Sequence, residues 1–159
     1  MGRDPAYVLR TDEELSMYIQ INRDDIWSVY AKPKAPEGLF RGGGNKASPK
    51  MYKTENGEES VRPADFNIQY DKDASEYMVY PDVTKGLSFS NSIQRLKDIP
   101  IQGKVWRLPR DAKLPNDLVI NFKTIDHPLI NVGKKMTVTT LISKLKELEK
   151  LMHYTGVNV

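Results

Sequence analysis

This sequence predicts an α+β fold. Helical periodicity appears near both ends of its 159 residues and once, more briefly, between them. The stretches that link these segments are short, rich in β-formers and punctuated by proline, glycine and asparagine. Strands and helices do not alternate regularly, which disfavours a doubly wound parallel sheet.

The elements follow in order. "TDEELSMYIQINRDDIWSVY" (11–30) opens with a capping box, in which Thr11 accepts from the backbone and Glu14 reaches back. Leu15, Tyr18, Ile19, Ile26, Val29 and Tyr30 keep helical spacing with a polar break at Asn22. The two prolines of "AKPKAPEG" (31–38) stop this helix. Residues 1–37 thus read as a helical extension and 38–159 as the main domain. "KMYKT" and "EYMVYP" alternate as short strands, and Asn56-Gly57 is a turn. "VRPADFNIQYDKD" (61–73) reads as an extended surface segment.

"GLSFSNSIQRLKDI" (86–99) predicts a strand end running into a helix capped by Ser90 or Asn91. "GKVWRLP", "LVINF" and "PLINVG" follow as short strands, with Pro109 and Pro115 between the first two. "MTVTTLISKLKELEKLMHY" closes the domain as a helix. Thr137 is its cap, and Val138, Leu141, Ile142, Leu145, Leu148 and Met152 make its apolar stripe.

Composition narrows the function classes. There are no cysteines, which excludes disulfides and thiolate chemistry. The two histidines, His127 and His153, are far apart in sequence, which argues against a metal centre. No apolar run approaches the ~18 residues of a membrane span. The N-terminus lacks the apolar core of a secretory signal, so any export is expected to use another route. Charge is uneven. Residues 1–80 hold 11 Lys/Arg and 14 Asp/Glu, whereas residues 81–159 hold 13 and 7. The second half, at +6, suits phosphates, nucleic acid or an acidic protein.

Three constellations carry candidate chemistry. "LFRGGGNK" (39–46) has neither Walker A nor Rossmann spacing, although successive glycine N–H groups can form an anion nest. Arg41, at the end of a strand, is set for bidentate contact with phosphate or for a bond to a ribose. "KGLSFSNS" places Ser88 and Ser90 on one side of an extended segment and Leu87 and Phe89 on the other. No hydrolase elbow surrounds these serines. "IDHPLINVGKKM" carries His127 on a strand rim, with His153 as a conceivable partner in acid–base cleavage of RNA.

"RLPRDAKLPNDLVI" (107–120), "HPLINVGKKM" (127–136), "GLSFS" (86–90) and "LFR" (39–41), with "VRPADF" (61–66) more weakly, share an order and spacing. Over about residues 38–150 this pattern resembles the NAD-dependent ADP-ribosyltransferase-like toxins exported by type VI secretion systems. The resemblance implies a small ADP-ribosyltransferase-like domain that uses NAD without a metal. It implies Arg41, Ser88 and His127 as catalytic residues. It implies Arg41, Gly42, Tyr80, Ser88, Phe89 and Ser90 as the NAD-binding set, with Phe89 or Tyr80 stacking on the nicotinamide ring. A carboxylate usually assists such transferases, and Glu147, Glu149 and Asp126 are the acids with a claim. The implied setting is interbacterial competition, with action in the recipient cytoplasm on a protein or nucleic-acid acceptor. A cognate immunity protein would act as antitoxin.

Two other readings stay open. The basic half suits a toxin that modifies or cleaves RNA or DNA, using Arg107, Arg110, Lys113, Lys134 and Lys135. The acidic, partly apolar segment 11–30 suits a non-catalytic protein that binds a partner.

Overall fold

The computed structural model describes residues 31–32, 38–43, 49, 51–82, 84–99, 101–110, 112–121 and 127–159. The helix expected over 11–30 lies outside them. The described chain is strand-rich with two helices, coarsely α+β, and all its paired strands run antiparallel.

Three sheets and a hairpin make up the fold. The first sheet has the order β1-β9-β10-β7, with β1 at Ala31–Lys32, β9 at Leu118–Asn121, β10 at Leu129–Val132 and β7 at Leu87–Ser88. All four residues of β9 are buried, so both its faces are covered. β1 pairs Ala31 with Asn121, so this sheet takes in residues on the N-terminal side of the expected boundary at 38. The second sheet has the order β12-β8-β2, with β12 at His153–Asn158, β8 at Lys104–Leu108 and β2 at Leu39–Gly42. The third has the order β11-β6-β5, with β11 at Met136–Thr137, β6 at Glu76–Tyr80 and β5 at Asn67–Asp71. β3 (Lys53–Glu55) and β4 (Glu58–Ser60) form a hairpin. Asn56 and Gly57 both take positive φ at its turn, as a two-residue type I′ turn demands.

Helix α1 spans Ile93–Asp98 and is capped by Ser92, whose hydroxyl accepts from the Arg95 N–H at 3.2 Å. The expected cap, Ser90 or Asn91, is therefore corrected. Ser90 is held in a β-bridge, and Ser92, with extended backbone, takes the cap. Helix α2 spans Val138–Leu151, and Thr137 caps it by accepting from the Thr140 N–H at 3.0 Å. Its Leu141, Leu145 and Leu148 are fully buried. They join Leu39, Leu108, Ile120 and Ile130 in one core cluster, each contributing about 1.5–3 kcal/mol of burial.

Two expectations fail locally. The chain does not close on a helix, because α2 stops before Met152 and β12 pairs with β8. The extended segment 61–73 is instead a turn followed by β5, which pairs along its whole length with β6. Both strands depend on partners distant in sequence or across a turn, so local periodicity does not announce them.

Candidate active site

The second sheet meets the first at one bridge. Phe40 and Ser90 exchange both backbone hydrogen bonds, each at 2.8 Å. In an antiparallel ladder the next such pair would be Gly42 with Ser88. That pair does not form. The Ser88 carbonyl accepts instead from Nη1 of Arg41, at 2.8 Å. The strands fork here, and the Arg41 side chain takes the carbonyl that a continued ladder would have paired with a backbone N–H. Ladder parity turns the peptide groups of Gly42 and Ser88 toward the same gap.

A cleft of about 290 Å³ opens at the fork. It is lined by Arg41, Gly42, Ser88, Phe89, Ser90 and His127, together with Gly43, Arg62, Leu96, Ile99 and Ile101. Six of the seven residues singled out from sequence thus converge from three separate segments.

Each of these residues has its own local cause. Arg41 alternates with Phe40 along β2 and is 7% exposed. Burial lowers its pKa to about 10; Asp65 acts against this and Arg62 with it. Its guanidinium carbon lies 5.8 Å from the Phe89 ring centre, a cation–π contact. Gly42 allows close approach, because a Cβ there would run into Cγ2 of Ile101. Ser88 is exposed and paired with Leu129. Gly86, with φ at +150°, lets β7 lie against β10, where a Cβ would come within 2.7 Å of Leu129 Cβ. His127 is half-buried at the rim, one residue before Pro128, whose carbonyl accepts from the Phe89 N–H.

Three of the expected residues differ from the rest in their setting. Tyr80 is not among the residues that line the cleft; it lies in β6 of the third sheet, with Lys135 Nζ 5.5 Å from its ring centre. Phe89 lines the cleft but is 2% exposed, and Arg41 lies near its ring. The more exposed apolar wall is aliphatic, formed by Ile99 and Ile101 beyond α1. Ser90 also lines the cleft, but it is 1% exposed and its hydroxyl donates to the Ser92 carbonyl at 2.9 Å.

The expected acids lie elsewhere. Glu147 borders a shallow depression beside Lys113 and Pro115. Glu149 lies in the field of Lys146 and Glu59, and burial raises its pKa. Asp126 lies outside the described residues. A carboxylate whose field reaches Arg41 is that of Asp65, bonded to Arg62 at 2.7 Å. Sequence reasoning missed both Arg62 and Asp65 as site residues. Their signal was the weakly matching block "VRPADF".

A histidine pair is not formed. The β7–β10 register, continued, sets His127 opposite Ser90. Ser90 bridges Phe40, which pairs with Arg107, which pairs with His153. The histidines are four strand spacings apart along the sheets, on the order of 19 Å. Two of the five cations of the basic half belong to different sheets. Arg107 lies in β8, whereas Lys135 precedes β11 in another sheet and pairs with Asp71 at 2.9 Å. Among the described residues there is no cluster of three metal-ligating side chains, and no helix is long and apolar enough to cross a membrane.

Comparison with known protein families, with curated proteins and with solved structures finds no match.

Proposed function

We propose that the fork cleft binds NAD and that the protein consumes it, by transferring ADP-ribose to an acceptor or to water, as a toxin of the ADP-ribosyltransferase-like effector kind. The observation that carries this reading is the convergence of Arg41, Ser88 and His127 on one cleft. The donor set fits the ligand. A buried, charged guanidinium suits a phosphate, an exposed hydroxyl suits a ribose, and an aliphatic wall suits a flat nicotinamide ring. The volume lies at the low end for small-molecule sites, about 300 Å³, which suits the nicotinamide riboside end better than a whole dinucleotide.

The chemistry that NAD brings is cleavage of its glycosidic bond. Nicotinamide leaves with the bonding electrons, and the ribose carbon takes water or an acceptor nucleophile, which gives up one proton. The chain's own residues supply positioning. Arg41 is already desolvated and anchored to Ser88, so it holds an anion with little reorganisation. The Ser88 hydroxyl orients a sugar at the mouth. His127, at the rim, is placed to take the proton from an incoming nucleophile. Ile99 and Ile101 exclude water from one side. As part of the same proposal, the toxin would act in a recipient bacterial cytoplasm and be neutralised there by an immunity protein that covers this cleft.

The test is incubation of the protein with NAD. Release of nicotinamide, or ADP-ribose on an acceptor, is the expected result. Absence of both, with a bacterial lysate supplied as acceptor, would overturn the proposal.

A further inference from the structure

The third sheet leaves one edge open. Among the described residues its order is β11-β6-β5, so β5 has β6 on one side and no strand on the other. It pairs with β6 at every position from Asn67 to Asp71, without a break in register. Alternate residues of such a strand turn N–H and C=O away from the partner. Edges of this kind are usually blunted by lysine, proline or a bulge. The β5 sequence, "NIQYD", has none of these. β12, also an edge strand, is blunted. Its register shifts between Tyr154 and Asn158, where Gly156 takes a φ of +82°.

The face beside the β5 edge is apolar and uncovered. Ile68 stands opposite Val79 and Tyr70 opposite Tyr77, so all four share one face of the sheet. Val79 lies in the core, whereas Tyr70 and Tyr77 are 54% and 60% exposed. Their rings meet edge to face with centres 5.3 Å apart, a contact that holds both in place. A groove of about 380 Å³ adjoins this face. Val61, Ile68, Tyr77 and Val138 give it an apolar lining, and Lys53 and Glu76 its charges.

The surroundings are acidic. Residues 53–80 hold seven Asp/Glu and three Lys/Arg, a balance of −4. Lys135 and Lys146 reach in to pair with Asp71 and Glu59, at 2.9 and 2.8 Å, and bring it to −2. Glu58, Asp73 and Glu76 are exposed and form no ion pair among the described residues. A second copy laid edge to edge would bring two such surfaces together, which like charge disfavours. A segment of opposite charge is favoured instead.

We infer that β5 is a docking edge for an extended, basic segment of a partner protein. The segment adds a strand to the third sheet, with apolar residues at alternate positions against Ile68, Tyr70 and Tyr77 and cations beside Asp73 and Glu76. Backbone pairing supplies the affinity, and the tyrosine face and the carboxylates supply the selection. The inference goes beyond the NAD reading and uses none of Arg41, Ser88 and His127.

The experiment titrates the full chain with a fluorescently labelled peptide of alternating valine and lysine, followed by anisotropy and by backbone amide NMR. It is expected to bind at least about tenfold more tightly than a peptide of alternating valine and glutamate. The amide signals of residues 67–71 should shift and exchange more slowly. Two further versions of the peptide are N-methylated, one at its valines and one at its lysines. Each keeps charge and side chains but loses the N–H groups of one edge, so one of the two should bind at least about tenfold more weakly. Tyr70→Thr and Tyr77→Thr, at exposed strand positions, should each weaken binding. Glu76→Gln should weaken it and flatten its salt dependence. Equal affinity for the two charge patterns, full affinity in both methylated versions, or amide shifts that avoid 67–71 overturns the inference. So does a dimer of the free chain in sedimentation that Tyr70→Thr and Tyr77→Thr dissolve, because the edge would then belong to a second copy.

Discussion

Arg41 donates from Nη1 to the carbonyl of Ser88 at 2.8 Å, across 47 residues of chain. The bond replaces the backbone pair that Gly42 and Ser88 would make if the ladder continued beyond Phe40 and Ser90. The ladder stops at Phe40 and Ser90, and the proposed site lies where it stops.

Arg41→Met tests whether that side chain serves ligand or fold. Removing the cation relieves a burial cost, and leaving the Ser88 carbonyl without its donor adds about 1–3 kcal/mol back. The two oppose each other, so urea unfolding should place the variant within about 1 kcal/mol of wild type. NAD consumption should fall at least about a hundredfold. A loss of stability well beyond that range, measured in the same preparation, would make Arg41 a structural residue.

The two serines should separate cleanly. Ser88→Ala removes an exposed hydroxyl and is expected to change stability by less than about 0.5 kcal/mol while lowering activity. Ser90→Ala breaks a buried bond to the Ser92 carbonyl and should cost about 1–2 kcal/mol, with activity falling only as far as folding does. Equal activity losses at equal stability would reject this division.

Gly42→Ala places a methyl group against Cγ2 of Ile101 and should destabilise by about 1–3 kcal/mol. Adding Ile101→Ala removes the obstructing atom, so the double variant should recover part of the loss relative to the two single changes summed. Strict additivity in thermal melting would place the strain elsewhere.

Alkaline pH should weaken anion binding through Arg41. Burial, the largest influence, lowers its pKa to about 10, with Asp65 acting against the shift and Arg62 adding to it. Below that pH the group is charged and its grip is complete; the grip is lost as pH rises through 10. For folding the sign is opposite. The folded chain gives up this proton at about 10 and the unfolded chain only at higher pH, so the folded state binds fewer protons between them. Arg41's contribution to stability therefore rises with pH in that window. Pyrophosphate titrations from pH 8 to 11 on wild type and Arg41→Met check this, since only the wild type should show a fall centred near 10.

Much of the fold was legible locally. Asn56-Gly57 demanded a hairpin turn, Thr137 capped α2, and the stripe from Leu141 to Leu148 faced the core, each because a few neighbouring residues decide the matter. β12 was not legible, since His153 and Tyr154 extend only because β8 offers partners at Arg107 and Trp106. The cap of α1 was misplaced by two residues or fewer for the same kind of reason, as Ser90 is committed to Phe40.

By itself the sequence determined the absence of disulfide and thiolate chemistry, the short β-forming runs, the caps and turns, and the residue types that a phosphate and a sugar would need. These depend on composition and on forces acting over a few residues. Only the tertiary structure decided which of those residues share a cleft. It buried Arg41, turned Ser90 inward, set Tyr80 in another sheet, and brought Arg62 and Asp65 alongside Arg41. That choice hangs on strand register between segments some 50 residues apart, and register follows from how a whole core packs, which no short stretch encodes.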